Sequence, residues 1–128
     1  MKIFFDSETA TINVRWMPGN CHLPESEYID LWVAIFKHVE VLKPNYLLID
    51  ASDFEYVFIS EIIDIFNSIS ALLNPNYIAI VKSKSILGAK ILNELVLNCP
   101  HKGHILFENV NEGNKWFNSL KPISYSNK

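Results

Sequence analysis

The sequence predicts an α/β domain with a mostly parallel sheet, an N-terminal hairpin and the element order β-β-α-β-α-β-α-β-α. Three observations predict it. Two unbroken apolar runs, Tyr46–Ile49 and Tyr77–Val81, suit strands covered on both faces. Segments with apolar residues at helical spacing separate and follow these runs. Thr11–Met17 alternates instead, with Ile12, Val14 and Trp16 on one side and Asn13 and Arg15 on the other, which is the period of a half-buried strand. Strands that alternate with helices after a hairpin call for a parallel sheet flanked by helices.

The elements follow in order. Lys2–Phe5 is short and rich in strand-forming residues, and Asp6-Ser7-Glu8 supplies a turn into Thr11–Met17. Pro18-Gly19-Asn20 ends that second strand. Pro24-Glu25-Ser26-Glu27 carries helix-start chemistry, a proline near the first turn and acids at the positive end of the dipole. Tyr28, Trp32, Ile35, Val39 and Leu42 then form one stripe, which Lys43-Pro44 closes. A second helix places Ile62, Phe66, Ile69 and Leu73 on one face. A third starts near Ser85 and carries Leu87, Ile91, Leu92, Leu95 and Val96. Ile105–Phe107 gives the last strand. Asn111 is positioned to cap a final helix whose Trp116, Phe117 and Leu120 turn inward. One domain is expected over residues 1–122, with a flexible polar tail over 123–128.

Composition narrows the function. The chain has 128 residues, 49% hydrophobic, which suits one substantial core. The net charge of −3, with scattered lysines and no basic cluster, argues against nucleic acid as partner. Cys21 and Cys99 stand far apart with no CxxC, as expected of free thiols in a reducing compartment. The opening MKIFFDSETA has no signal-peptide pattern, and no apolar run approaches the roughly 20 residues of a membrane span. A cytoplasmic protein is the expectation.

Enzyme signatures are missing. There is no GxSxG elbow, GxGxxG or Walker A sequence, and four glycines leave little for a phosphate-cradling loop. Neither catalysis nor a cofactor is expected. Cys99, His101 and His104 in CPHKGH are three potential zinc donors in six residues, but a polar loop before a strand accounts for them more simply, so no metal is expected.

The chemistry that remains lies in LLIDASDFEYVFISEIIDIF, Leu47 to Phe66. Asp50, Ser52 and Asp53 stand at the carboxyl end of a central strand, where open α/β sheets bind ligands. Aspartate and serine also suit a turn that bonds its own backbone. Ser60 precedes the Ile62/Phe66 stripe and suits an N-cap, with Glu61 favourable in the first turn. Tyr56-Val57-Phe58 is apolar where a connection is ordinarily polar. It either folds inward or presents a contact.

Three stretches carry a family likeness: EYIDLWVAIFKHVEVLKP running into YLLIDASDF, the strand YIAIVKS, and the closing LFENVNEGNKWFNSL. In these the chain resembles the STAS domains, the group that includes anti-sigma-factor antagonists, and in particular the SpoIIAA-like, or STAS/SEC14, subgroup of small bacterial proteins. The phosphorylatable antagonists read Asp-Ser-Ser-Gly at the start of a helix. Here Phe58-Ile59-Ser60-Glu61 occupies that place, so Ser60 matches the phosphoacceptor while its neighbours depart from the pattern. The resemblance implies a non-catalytic regulatory or protein-interaction module with a degenerate phosphoacceptor turn. The interaction candidates are Asp50, Ser52, Asp53, Tyr56, Phe58, Ser60 and Glu61. The alternative, which the SEC14 likeness implies, is a protein that binds a small apolar or lipid-like ligand near the 50–60 turn. Trp16, Met17 and Trp32 are then candidates for the pocket wall. A protein partner is expected first. The uncovered hairpin edge also offers a route to a homodimer.

Overall fold

A computed structural model describes residues 1–55, 60–73, 77–97 and 104–120. Along them run β1 (Lys2–Asp6), β2 (Thr11–Arg15), a short 3₁₀ turn (Asn20–His22), α1 (Glu25–Leu42), β3 (Tyr46–Asp50), α2 (Ser60–Leu73), β4 (Tyr77–Val81), α3 (Ile86–Leu97), β5 (His104–Phe107) and α4 (Val110–Leu120). The class and element order are those expected: an α/β chain with a five-stranded mixed sheet and four helices. The strands lie side by side in chain order, β1-β2-β3-β4-β5. β1 runs antiparallel to β2, and the other three pairings are parallel.

This order dictates the layering. Crossovers between parallel strands keep one hand, so connections that each step one strand in the same direction put their helices on the same face. Accordingly α1, α2 and Leu92 of α3 share one core with Ile12, Val14, Leu47, Ile49, Ile78 and Ile80 of the sheet. Helix α4 follows β5 and connects no further described strand, so no crossover constrains it. It packs on the opposite face, where Phe117 meets Tyr46, Leu48 and Ala79. The period of two along β3 divides its residues between the cores: Leu47 and Ile49 to one, Tyr46 and Leu48 to the other.

The larger core is aromatic at its centre. Trp16 lies 5.5 Å from Trp32, 5.9 Å from Tyr28 and 5.1 Å edge-on from Phe54, measured between ring centroids. In the smaller core Tyr46 lies 4.7 Å from Phe117 and Tyr77 5.4 Å from Trp116. Helix α4 approaches the sheet closely because Gly113 faces it. A Cβ there would lie 2.9 Å from Leu48 Cδ1 and 3.3 Å from Ala79 Cβ.

Several boundaries differ from the sequence expectation. Ladder pairing in β2 stops at Arg15, and Trp16 adds one further bond, its N–H donating to Asp50 O at 3.1 Å. Met17 lies outside the strand. Leu42 is 37% exposed rather than part of the buried stripe. Helix α1, with 18 residues, is about 27 Å long and overhangs five-residue strands about 17 Å long. Ser60 is the first residue of α2 rather than the one before it. The side chains expected inward at Leu73, Leu87, Ile91, Leu95 and Val96, and the tail 123–128, lie outside the described residues.

The cap of α4 is also displaced. Asn109, not Asn111, accepts the Glu112 N–H through Oδ1 at 2.9 Å, while Glu112 Oε1 accepts the Glu108 N–H at 2.9 Å. Glutamate three residues after an asparagine makes this reciprocal arrangement, and only Asn109 has it. Replacing Asn109 by alanine should cost about 1 kcal/mol, and Asn111→Ala a few tenths at most, as read by urea denaturation.

Helix α1 ends on Lys43 in the left-handed region, φ 47°, with its N–H donating to Val39 O at 2.9 Å. A side chain is strained there and glycine is not. Lys43→Gly should therefore raise the stability by about 0.5–1 kcal/mol, visible as a higher melting temperature.

Candidate functional site

The candidate site is the face at the carboxyl ends of β2, β3 and β4, with the loops that leave them. Asp50 ends β3. Its Oδ1 accepts the Ser52 N–H at 3.1 Å and the Ser52 hydroxyl at 2.7 Å. The loop then folds back, with Phe54 N–H donating to Ala51 O at 2.9 Å, and this drives Phe54 into the core beneath. Asp53 keeps a half-buried position. Its carboxylate is 3.8 Å from the Lys84 ammonium, a solvated pair worth little to stability.

Two residues that the sequence reading did not single out hold this face together. Asn20 is buried, and its side-chain amide bridges two loops. Nδ2 donates to Met17 O and to Asp53 O, each at 2.7 Å, and Oδ1 accepts the Glu55 N–H at 2.9 Å. Ser83, also buried, donates its hydroxyl to Phe54 O at 2.8 Å and accepts the Ser85 N–H at 3.2 Å. Ser85 in turn caps α3, accepting the Gly88 N–H at 3.2 Å. Gly88 lies so close that a Cβ would sit 2.4 Å from Ser83 Oγ and 2.7 Å from Phe54 O. Three connections, after β2, β3 and β4, are thus bound to one another through side chain and backbone. The sequence carried only a weak signal of this. Asn20 reads as a turn residue after Gly19, and its partners lie 33 and 35 residues away.

The expected site residues divide as follows. Asp50, Ser52 and Asp53 come together in one loop. Ser60 and Glu61 are exposed in the first turn of α2, where the helix dipole favours negative charge. Tyr56 and Phe58 lie outside the described residues. The residues suggested for a pocket wall sit in or beside the larger core. Trp16 and Trp32 are each 1% exposed, packed ring against ring in the core, and Met17 is half-buried beside Asn20. Large aromatics that alternate with, or are spaced among, other apolar residues fill a core first.

Chemically the face offers acceptors more than reactive groups. The serine hydroxyls of Ser52 and Ser83 are engaged with Asp50 and Phe54 O. Among the described residues, no three histidines, cysteines, aspartates or glutamates stand close enough to hold a metal ion. Cys99 and His101 lie outside those residues, as does the side chain of His104. No helix among the described residues is long and apolar enough to cross a membrane. A comparison with protein-family models and with curated proteins finds no match.

Asn20→Ala leaves the Met17 and Asp53 carbonyls and the Glu55 N–H without their partner, at a cost of about 2–3 kcal/mol. Gly88→Ala should be at least as damaging, because the atoms it meets are a buried hydroxyl and a backbone carbonyl. Chemical denaturation of the two variants against the parent chain checks both.

Proposed function

We propose that the chain is a non-catalytic, STAS-type interaction module of the cytoplasm that engages a protein partner through its strand-end face. One observation carries this reading. Polar groups of the face fasten its loops to each other, as Asn20, Ser52 and Ser83 illustrate, and this holds a surface that bears acids in one shape. Glu55 and Glu61 are exposed on it, and the half-buried Asp53 lies 3.8 Å from the exposed Lys84 ammonium. A rigid, pre-ordered surface loses little entropy on association, which suits recognition. Its charge suits a partner with a basic patch.

The STAS reading draws on the sequence resemblance and on the agreement of element order. Within it, Ser60 stands where antagonists of that type accept a phosphate, at an exposed helix start, with Glu61 directly beside it. The neighbouring negative charge opposes a second one, so the turn acts as a constitutive surface without a phosphate.

A photo-crosslinking residue placed at Glu55 or Glu61, and in a control at Lys115 on α4, tests the proposal in a lysate of the native host. Crosslinks from 55 and 61 to one basic protein, lost in a Glu55→Lys/Glu61→Lys chain that keeps its circular dichroism spectrum, are the expected result. Crosslinks from 115 alone, or capture unaffected by the charge reversal, would overturn it. Intact mass of the host-derived protein gives the second check, with the bare chain expected and a phosphate on Ser60 counting against the constitutive surface.

A further inference from the structure

Among the described residues, strand β1 forms an outer edge of the sheet, hydrogen-bonded to β2 alone. Natural edge strands are blunted by proline, bulges or a central charge. Here the pairing with β2 is continuous over all five residues, and the sequence Lys2-Ile3-Phe4-Phe5-Asp6 places its charges only at the two ends. Phe4 is 62% exposed and Phe5 37%. Phe4 stands at a groove of about 380 Å³ between the hairpin and α4, lined by Phe117 and by mostly polar side chains, Asp6, Thr9, Asn13 and Asn114 among them, and most of its ring stays exposed. Next along the same face, Lys2 lies directly opposite Arg15 on β2. Two like charges opposite one another across a ladder are unfavourable, and neither has an ion pair among the described residues.

We propose that β1 pairs antiparallel with β1 of a second copy of this chain, about a twofold axis at Phe4, joining two sheets into one. The strand is self-complementary in that register alone. Lys2 meets Asp6 of the other copy, Ile3 meets Phe5, Phe4 meets Phe4, and the second half repeats the first by symmetry. A shift by two residues in either direction sets a charge against a phenylalanine, and a parallel pairing sets Lys2 against Lys2. The pairing provides an acid for the Lys2–Arg15 pair, apolar cover for Phe4 and partners for the outward backbone groups of the edge. Asp6 Oδ1 already accepts the Glu8 N–H at 3.0 Å, and in the proposed pairing Oδ2 takes the ammonium. A contact five residues long belongs with weak, concentration-dependent dimers.

Sedimentation velocity on the purified chain, from micromolar to millimolar, tests this with two charge reversals. Lys2→Asp gives a strand with acids at both ends, and Asp6→Lys one with bases at both ends. Because the axis repeats each change, either variant should dimerise about tenfold more weakly than the parent. An equimolar mixture of the two should recover association, since every end of one then meets the opposite charge of the other. The double variant Lys2→Asp/Asp6→Lys should recover it as well. Thermal melts verify that each variant is folded. A parent chain that stays monomeric at millimolar concentration, a dimer indifferent to both reversals, or folded variants that fail to associate on mixing would each overturn the proposal.

Discussion

Two neighbouring strands, β3 and β4, carry apolar side chains on both faces, and water must be kept from both. Nine of their ten positions are apolar or tyrosine, Asp50 being the exception at the exit. Burying each large side chain is worth about 1.5–3 kcal/mol, so neither face can be left bare. One face is covered by helices that the connections place there. The other is covered by α4, which reaches the sheet only because Gly113 and Ala79 leave room for close approach. The layering and the two aromatic clusters follow from this demand.

The strand-end face depends on the same arrangement. Parallel strands in chain order bring their exits to one edge, so the connections after β2, β3 and β4 become neighbours despite distant places in the sequence. Neighbouring loops expose backbone donors and acceptors that need partners. Asn20 and Ser83 supply them from buried positions, and Gly88 makes the space. A surface fixed in this way keeps its shape whether or not anything is bound.

Much of the fold was legible because the signals that set it are local. The apolar runs at 46–49 and 77–81, the alternation at 11–16 and the stripe from Tyr28 to Val39 each state a period that the structure retains. What the sequence could not state was relative placement. Leu42 fits the stripe and still emerges, because the helix is longer than the strands beneath it. Asn111 was the expected cap of α4, and the bond from the Glu112 N–H to Asn109 Oδ1 moves it two residues upstream. The periods of β2 and α1 already turned Trp16 and Trp32 inward, and the packing of Phe54 and Phe66 shows which rings they meet there. Asn20 reads locally as a turn residue, and nothing local marks its two partners more than thirty positions away.

Sequential strand order also bears on how the chain acquires its shape. Each new strand pairs with the one made just before it, so assembly can proceed in the direction of synthesis, although each parallel pairing must wait for the helix between its strands. The face under α4 follows a different schedule. Its apolar residues on β3 and β4 leave the ribosome before the helix that shields them, and Tyr46, Leu48 and Ala79 wait exposed until Phe117 arrives. That interval is when a nascent chain of this design is most open to chaperones and to wrong neighbours.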